Sequence, residues 1–99
     1  MKREKILSIV VSAVKDLVET FPEADRFEVN EQTALFGVNA NIDSLSLVSV
    51  IVDLEGIFYD EYNLQLSLTD DRAMTRPTSP FDSISTLTDY ITELIAEMG

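Results

Sequence analysis

The apolar positions of this chain gather into three stretches separated by two long polar ones. In the first, KREKILSIVVSAVKDLVETF, Ile6, Val10, Ala13, Leu17 and Phe21 recur at helical spacing, with Leu7, Val11, Val14 and Val18 beside them. That pattern predicts an amphipathic helix with a wide apolar stripe, stopped by Pro22. In the last, SISTLTDYITELIAEM, Ile84, Leu87, Tyr90, Ile91, Leu94, Ile95 and Met98 share one helical face. Ser83 stands before them as the N-cap.

The middle stretch, DSLSLVSVIVDLEGIF over 43–58, fits two patterns. Ser44 to Leu47 alternates polar and apolar, and Val48, Val50, Ile51 and Val52 favour strands. Yet Leu47, Ile51, Leu54 and Phe58 recur at helical intervals, the run is longer than most strands, and Asp43 is a good N-cap. A helix is the better reading, with Gly56 weakening its last turn.

The intervening segments are punctuated. Over 22–42, Gly37, Asn39 and Asn41 mark turns, and Phe27, Val29, Leu35 and Phe36 are expected to pin a long loop to the core. Over 59–82, NLQLSL alternates like a short strand, Thr69–Met74 fits a short helical turn capped by Thr69 or Asp70, and TRPTSP is loop chemistry. No repeat or low-complexity tract interrupts the chain. Residues 1–99 therefore read as one domain, a small all-α helical bundle with long loops.

Composition narrows what such a bundle can do. The chain has 99 residues, of which 45% are hydrophobic, so it can bury a core and need not be disordered. Eighteen acids oppose seven bases, a net charge of −11, which disfavours nucleic acid or an anionic membrane as partner and suits a basic protein surface. No base lies between Arg26 and Arg72, so the middle of the chain is uniformly negative. Without histidine or cysteine the chain lacks the commonest general base, the commonest metal ligand and any thiol. The first helix is too short and too charged for a signal peptide or membrane span, which implies a cytoplasmic protein.

Ser44 is the one candidate reactive side chain. As a nucleophile it needs a base; Lys15, the only lysine beyond the first five residues, lies by pattern on a solvated face. No glycine-rich phosphate loop occurs, DLEGIFYDEYNL lacks calcium-loop spacing, and the acids do not single out a hydrolytic pair. Independent catalysis and a bound metal are not expected. At the start of a helix, however, a serine suits a phosphate ester, because unpaired backbone N–H groups and the helix dipole favour the anion. From position alone, an ordinary helix-start serine is the commoner use.

DSLSLVSVIVDLEGIF resembles the Asp-Ser-Leu signature and following helix of the acyl carrier proteins and related peptidyl carrier domains. Upstream ALFG resembles the loop element before that signature, SISTLTDYI resembles the start of the last helix, and the first amphipathic helix fits as well. The resemblance implies a four-helix bundle of three main helices plus a short third one. It implies a stand-alone carrier that holds acyl groups as thioesters on 4′-phosphopantetheine attached to Ser44. Asp43 would be the acid recognised by the phosphopantetheinyl transferase. Leu45, Val48 and Val52 match the partly exposed apolar contact positions, and Glu55 matches a recognition-helix acid. Asp53 joins them as a partner-facing acid on the same helix, without a family counterpart.

Implied partners are that transferase and acyl-activating, acyltransferase or synthase enzymes with basic docking surfaces, met by a monomeric carrier. Several features depart from the family pattern. Ser46 and Ser49 stand where fatty-acid-synthesis carriers usually have acids, Gly56 and Ile57 replace further acids, and both loops are longer than usual. These departures point away from housekeeping fatty-acid synthesis and toward a specialised lipid or polyketide pathway. A peptidyl or aminoacyl carrier, and an unmodified acidic adaptor for a basic partner, are the competing readings.

Overall fold

The computed structural model describes residues 1–37, 40–68 and 79–98. They form three helices: α1 (Arg3–Glu19), α2 (Ser44–Tyr62) and α3 (Ile84–Met98), with a 3-10 turn at Glu23–Asp25. The all-α expectation holds, and no strand occurs among the described residues. The short third helix expected at 69–74 lies outside them, as do the turn marker Asn39 and TRPT, the start of the expected loop TRPTSP.

α1 packs against both α2 and α3. Its buried face is Ile6, Val10, Ala13, Val14 and Val18, with Leu7, Val11, Leu17 and Phe21 packed at the margins. α2 contributes Leu47, Val50, Ile51, Leu54 and Phe58, and α3 contributes Ile84, Leu87, Tyr90, Ile91 and Leu94. Burial at 47, 50, 51, 54 and 58 follows a period of 3.6, so the middle stretch is a helix despite its β-branched run. Tertiary packing of that face outweighs the intrinsic preference of valine and isoleucine for strands.

α2 also runs past Gly56, one turn beyond the expected end at Phe58. The extra turn is supported by the tilted stacking of Phe58 on Tyr62, whose ring centroids lie 6.0 Å apart. Asn63 ends the helix in the left-handed conformation, at φ 55°. Its N–H donates to the Tyr59 carbonyl at 3.1 Å, and that of Leu64 to Phe58 at 2.9 Å. Asparagine tolerates this backbone better than most side chains.

The first long loop is stitched to the start of α3. Ala34 pairs with Ser83 in an isolated antiparallel bridge. The N–H groups of Ile84 and Ser85 donate to the carbonyls of Thr33 and Glu31, both at 3.0 Å, satisfying two donors that the first turn of a helix leaves open. Ser83 Oγ accepts from Thr86 N–H at 3.2 Å while Thr86 Oγ1 accepts from Ser83 N–H at 3.0 Å. This is a reciprocal cap in the position expected for Ser83.

Arg3 completes the joint. Its guanidinium donates to Asp89 Oδ1 at 2.6 Å, Glu31 Oε1 at 2.8 Å and Ser85 Oγ at 3.1 Å, so α1, the loop and α3 meet on one side chain. Hydrogen bonds to Asp89 and then Glu31 raise the Arg3 pKa above its ordinary value.

Of the four expected loop anchors, Val29 and Leu35 are buried and Phe27 packs against the core. Phe36 does not: it is 56% exposed, because Leu35 takes the inward position and the chain turns at Gly37, whose φ is 109°. That backbone conformation favours glycine. NLQLSL keeps its alternation without being a strand. Leu66 and Leu68 are buried and Gln65 and Ser67 exposed, but among the described residues the segment has no strand partner. Its Leu68 N–H instead donates to Glu55 Oε2 on α2, at 2.9 Å.

Candidate functional site at the start of the second helix

The geometry around Ser44 follows from three residues that precede or follow it. Ile42 and Leu47 are both buried in the core, one just before the cap and one in the second turn, the positions of a hydrophobic staple. Between them Asp43 adopts an extended backbone, with φ −79° and ψ 167°, and its Oδ1 accepts from the Ser46 N–H at 2.7 Å. The Leu47 N–H then bonds the Asp43 carbonyl at 3.0 Å and the helix is under way. With Ile42 and Leu47 drawn inward, Ser44 and Leu45 are left in solvent.

Asp43 fulfils the N-cap expectation. The Ser46 backbone N–H, and then its hydroxyl, hold the Asp43 carboxyl below the usual carboxylate range. The carboxylate is therefore ionised beside Ser44 at neutral pH. α2 carries no acid within its own first turn, so the Asp43 charge stands alone there.

The other sequence-predicted residues sort by face. Leu45, Val48 and Val52 are 81%, 52% and 58% exposed and form a ridge leading away from Ser44 on the side opposite the buried face. Asp53 is exposed beside that ridge. Glu55 stands apart from them on the flank toward 63–68, half-buried, with one carboxylate oxygen committed to Leu68. Its distance from Ser44 along the axis is about 16 Å at 1.5 Å per residue.

Two participants escaped the sequence reading. Tyr59, 58% exposed, prolongs the apolar ridge by two turns. Its period with Val52 was the available signal, but the helix was expected to stop one residue earlier. The Glu55–Leu68 bond had no sequence signal, since it joins a helix to an irregular segment. Among the described residues no group of three or more Asp or Glu is placed to hold a metal ion, and no helix is long and apolar enough to cross a membrane.

The chain matches no protein-family model, no curated protein and no solved structure.

Proposed function

We propose that this protein is a carrier of the acyl-carrier type, in which Ser44 bears 4′-phosphopantetheine and α2 presents the loaded arm to partner enzymes. The observation that carries the reading is the exposed Ser44, in an Asp-Ser-Leu sequence, at the first position of a capped helix. Ser44 and Leu45 offer backbone N–H groups at the helix start that suit a phosphodiester, and the helix dipole favours its charge. No side chain of the chain itself needs to activate the hydroxyl, because the loading enzyme would supply the base.

In that loading step the Ser44 oxygen attacks the phosphorus attached to the pantetheine arm of coenzyme A. A new P–O bond forms, the pyrophosphate P–O bond breaks, the Ser44 proton passes to the enzyme's base, and adenosine 3′,5′-bisphosphate leaves. The bound arm supplies the thiol that the cysteine-free chain lacks, and acyl groups travel on it as thioesters. The ridge of Leu45, Val48 and Val52, with Asp43 and Asp53 beside it, supports docking by enzymes that combine an apolar cleft with a basic rim. Serines at 46 and 49 make this surface less acidic next to Ser44 than the family pattern implies, which supports dedicated partners in a specialised lipid or polyketide pathway.

The reading is tested by incubating the protein with coenzyme A and a broad-specificity phosphopantetheinyl transferase. The wild type gains the mass of one phosphopantetheine group and Ser44→Ala gains none. No gain, or a gain that survives Ser44→Ala, overturns it.

A further inference from the structure

α1 ends beside the segment that leads into Ser44. Thr20 closes the helix, and the chain turns tightly after it, with the Asp25 N–H donating to the Pro22 carbonyl at 2.8 Å. Arg26 folds back over this turn: its Nε donates to the Phe21 carbonyl at 3.2 Å and its Nη2 to that of Glu19 at 3.0 Å. These bonds fix the backbone around a cleft of ≈ 500 Å³. Phe21, Pro22 and Phe27 give it apolar walls, and Asn41, from the far end of the loop, lines it as well.

The fold alone does not use these walls fully. Val29 and Leu35, both buried, already hold the loop, whereas Phe21 and Phe27 are only half-buried. Rings left partly in water beside a preformed space favour an apolar guest there. Ala24 in the same lining is exposed and small, which keeps the cleft open, and the charges of Asp25 and Arg26 at its rim offset one another, so the fitting guest is neutral. The cleft is also close to Ser44, because Asn41 precedes that serine by three residues, which span at most about 11 Å when extended. A phosphopantetheine arm, about as long as five extended residues, reaches roughly 17 Å. The ≈ 590 Å³ cleft lined by Met1, Leu64 and Met98 includes Asn63, about 28 Å along α2 from Ser44, and is out of reach.

We infer that this cleft is a resting site for the arm on Ser44, with the two methyl groups of its pantoyl unit between Phe21 and Phe27 and its first amide at the Asn41 side chain. The inference rests on the carrier reading and adds to it a place where the arm lies between visits to partner enzymes. The chemistry matches on both sides. The pantoyl unit joins a dimethyl-substituted carbon to a hydroxyl and a neutral amide, and the cleft joins aromatic rings to a side-chain amide that both donates and accepts. Because the cleft is preformed, little ordering of the chain opposes the contact.

The test loads the full chain from coenzyme A whose pantoyl methyl groups carry ¹³C. Loading is read first, as the mass gained on Ser44. In NMR spectra of the loaded protein the methyl protons lie upfield of their positions in free pantetheine, shifted by the two rings, and show NOEs to Phe21 and Phe27. Ala24→Leu, at an exposed position, narrows the cleft and returns the methyl signals to the free positions while the melting temperature holds. Asn41→Ala, also at an exposed position, reduces the shifts, whereas Ser8→Leu, exposed on α1 outside the cleft, leaves them as in wild type. No mass gain overturns the carrier reading and this inference with it. A mass gain on Ser44 overturns the cleft assignment alone in any of three cases: methyl signals at the free positions, NOEs only to Leu45, Val48 and Val52, or shifts unchanged by Ala24→Leu.

Discussion

Val52 and Leu54 distinguish the helical reading of the middle stretch from the strand reading most sharply. In a strand the two side chains lie on one face; in a helix they diverge by about 200°. Here Leu54 is wholly buried and Val52 is 58% exposed. Leu54→Ala removes three buried carbons, which at about 0.8 kcal/mol each amounts to about 2.4 kcal/mol. The residual cavity raises the loss to roughly 3–4 kcal/mol. Val52→Ala removes two mostly hydrated carbons, about 0.6 kcal/mol, and alanine's better helix propensity returns about as much.

Urea denaturation followed by circular dichroism at 222 nm reads both variants. Leu54→Ala lowers the midpoint at unchanged slope and the melting temperature by on the order of 12–25 °C. Val52→Ala stays within about 0.5 kcal/mol of the parent. Equal losses at the two positions, or a Leu54→Ala variant as stable as wild type, would refute the assigned face of α2.

Other residues give independent tests. Arg3→Met severs the joint between α1, the loop and α3; two half-exposed ion pairs make this worth about 0.5–2 kcal/mol, and the deficit narrows in high salt. A salt-independent loss in urea titrations would rule out the ionic origin. Asp43, whose carboxyl is held below its ordinary range, stabilises the fold above that range and loses this contribution as pH falls through its depressed native value. Asp43→Asn still caps α2 but does not titrate, so its acid limb of stability against pH is shallower; superimposable limbs would contradict the cap geometry. Glu55→Ala accelerates hydrogen exchange at the Leu68 amide while that of Ser46 is unchanged, and unaltered exchange at Leu68 would show that the carboxylate is not its acceptor.

What could be read from the sequence was what repeats locally. The faces of α1 and α3 and the caps Asp43 and Ser83 follow from period and residue type within one or two turns of chain. The middle stretch carried strand-like and helix-like signals together, and length and capping decided correctly between them. Its true end at Tyr62 was hidden because Gly56 suggests fraying, while the Phe58–Tyr62 stack and the Asn63 backbone oppose it.

Long-range joints were not legible at all. Arg3 meets Asp89 across 86 positions of sequence, and Glu55 meets Leu68 across an irregular turn. Neither pairing has a periodic signature. The Glu55 bond also changes the meaning of one substitution: Glu55→Lys changes a charge on α2 but removes the acceptor of the Leu68 amide as well, so Asp53→Lys is the cleaner probe of the proposed docking. At Ser44 the residue type and cap were legible, whereas its exposure depends on Ile42 and Leu47 being drawn into the core.

The proposed carrier function requires a phosphopantetheine arm on Ser44. Its most direct test is mass spectrometry of the protein isolated from its own cells, with the modified peptide sequenced. One phosphopantetheine group, located on Ser44, is the expected result. An unmodified protein, or the group on Ser46 or Ser49, would contradict it.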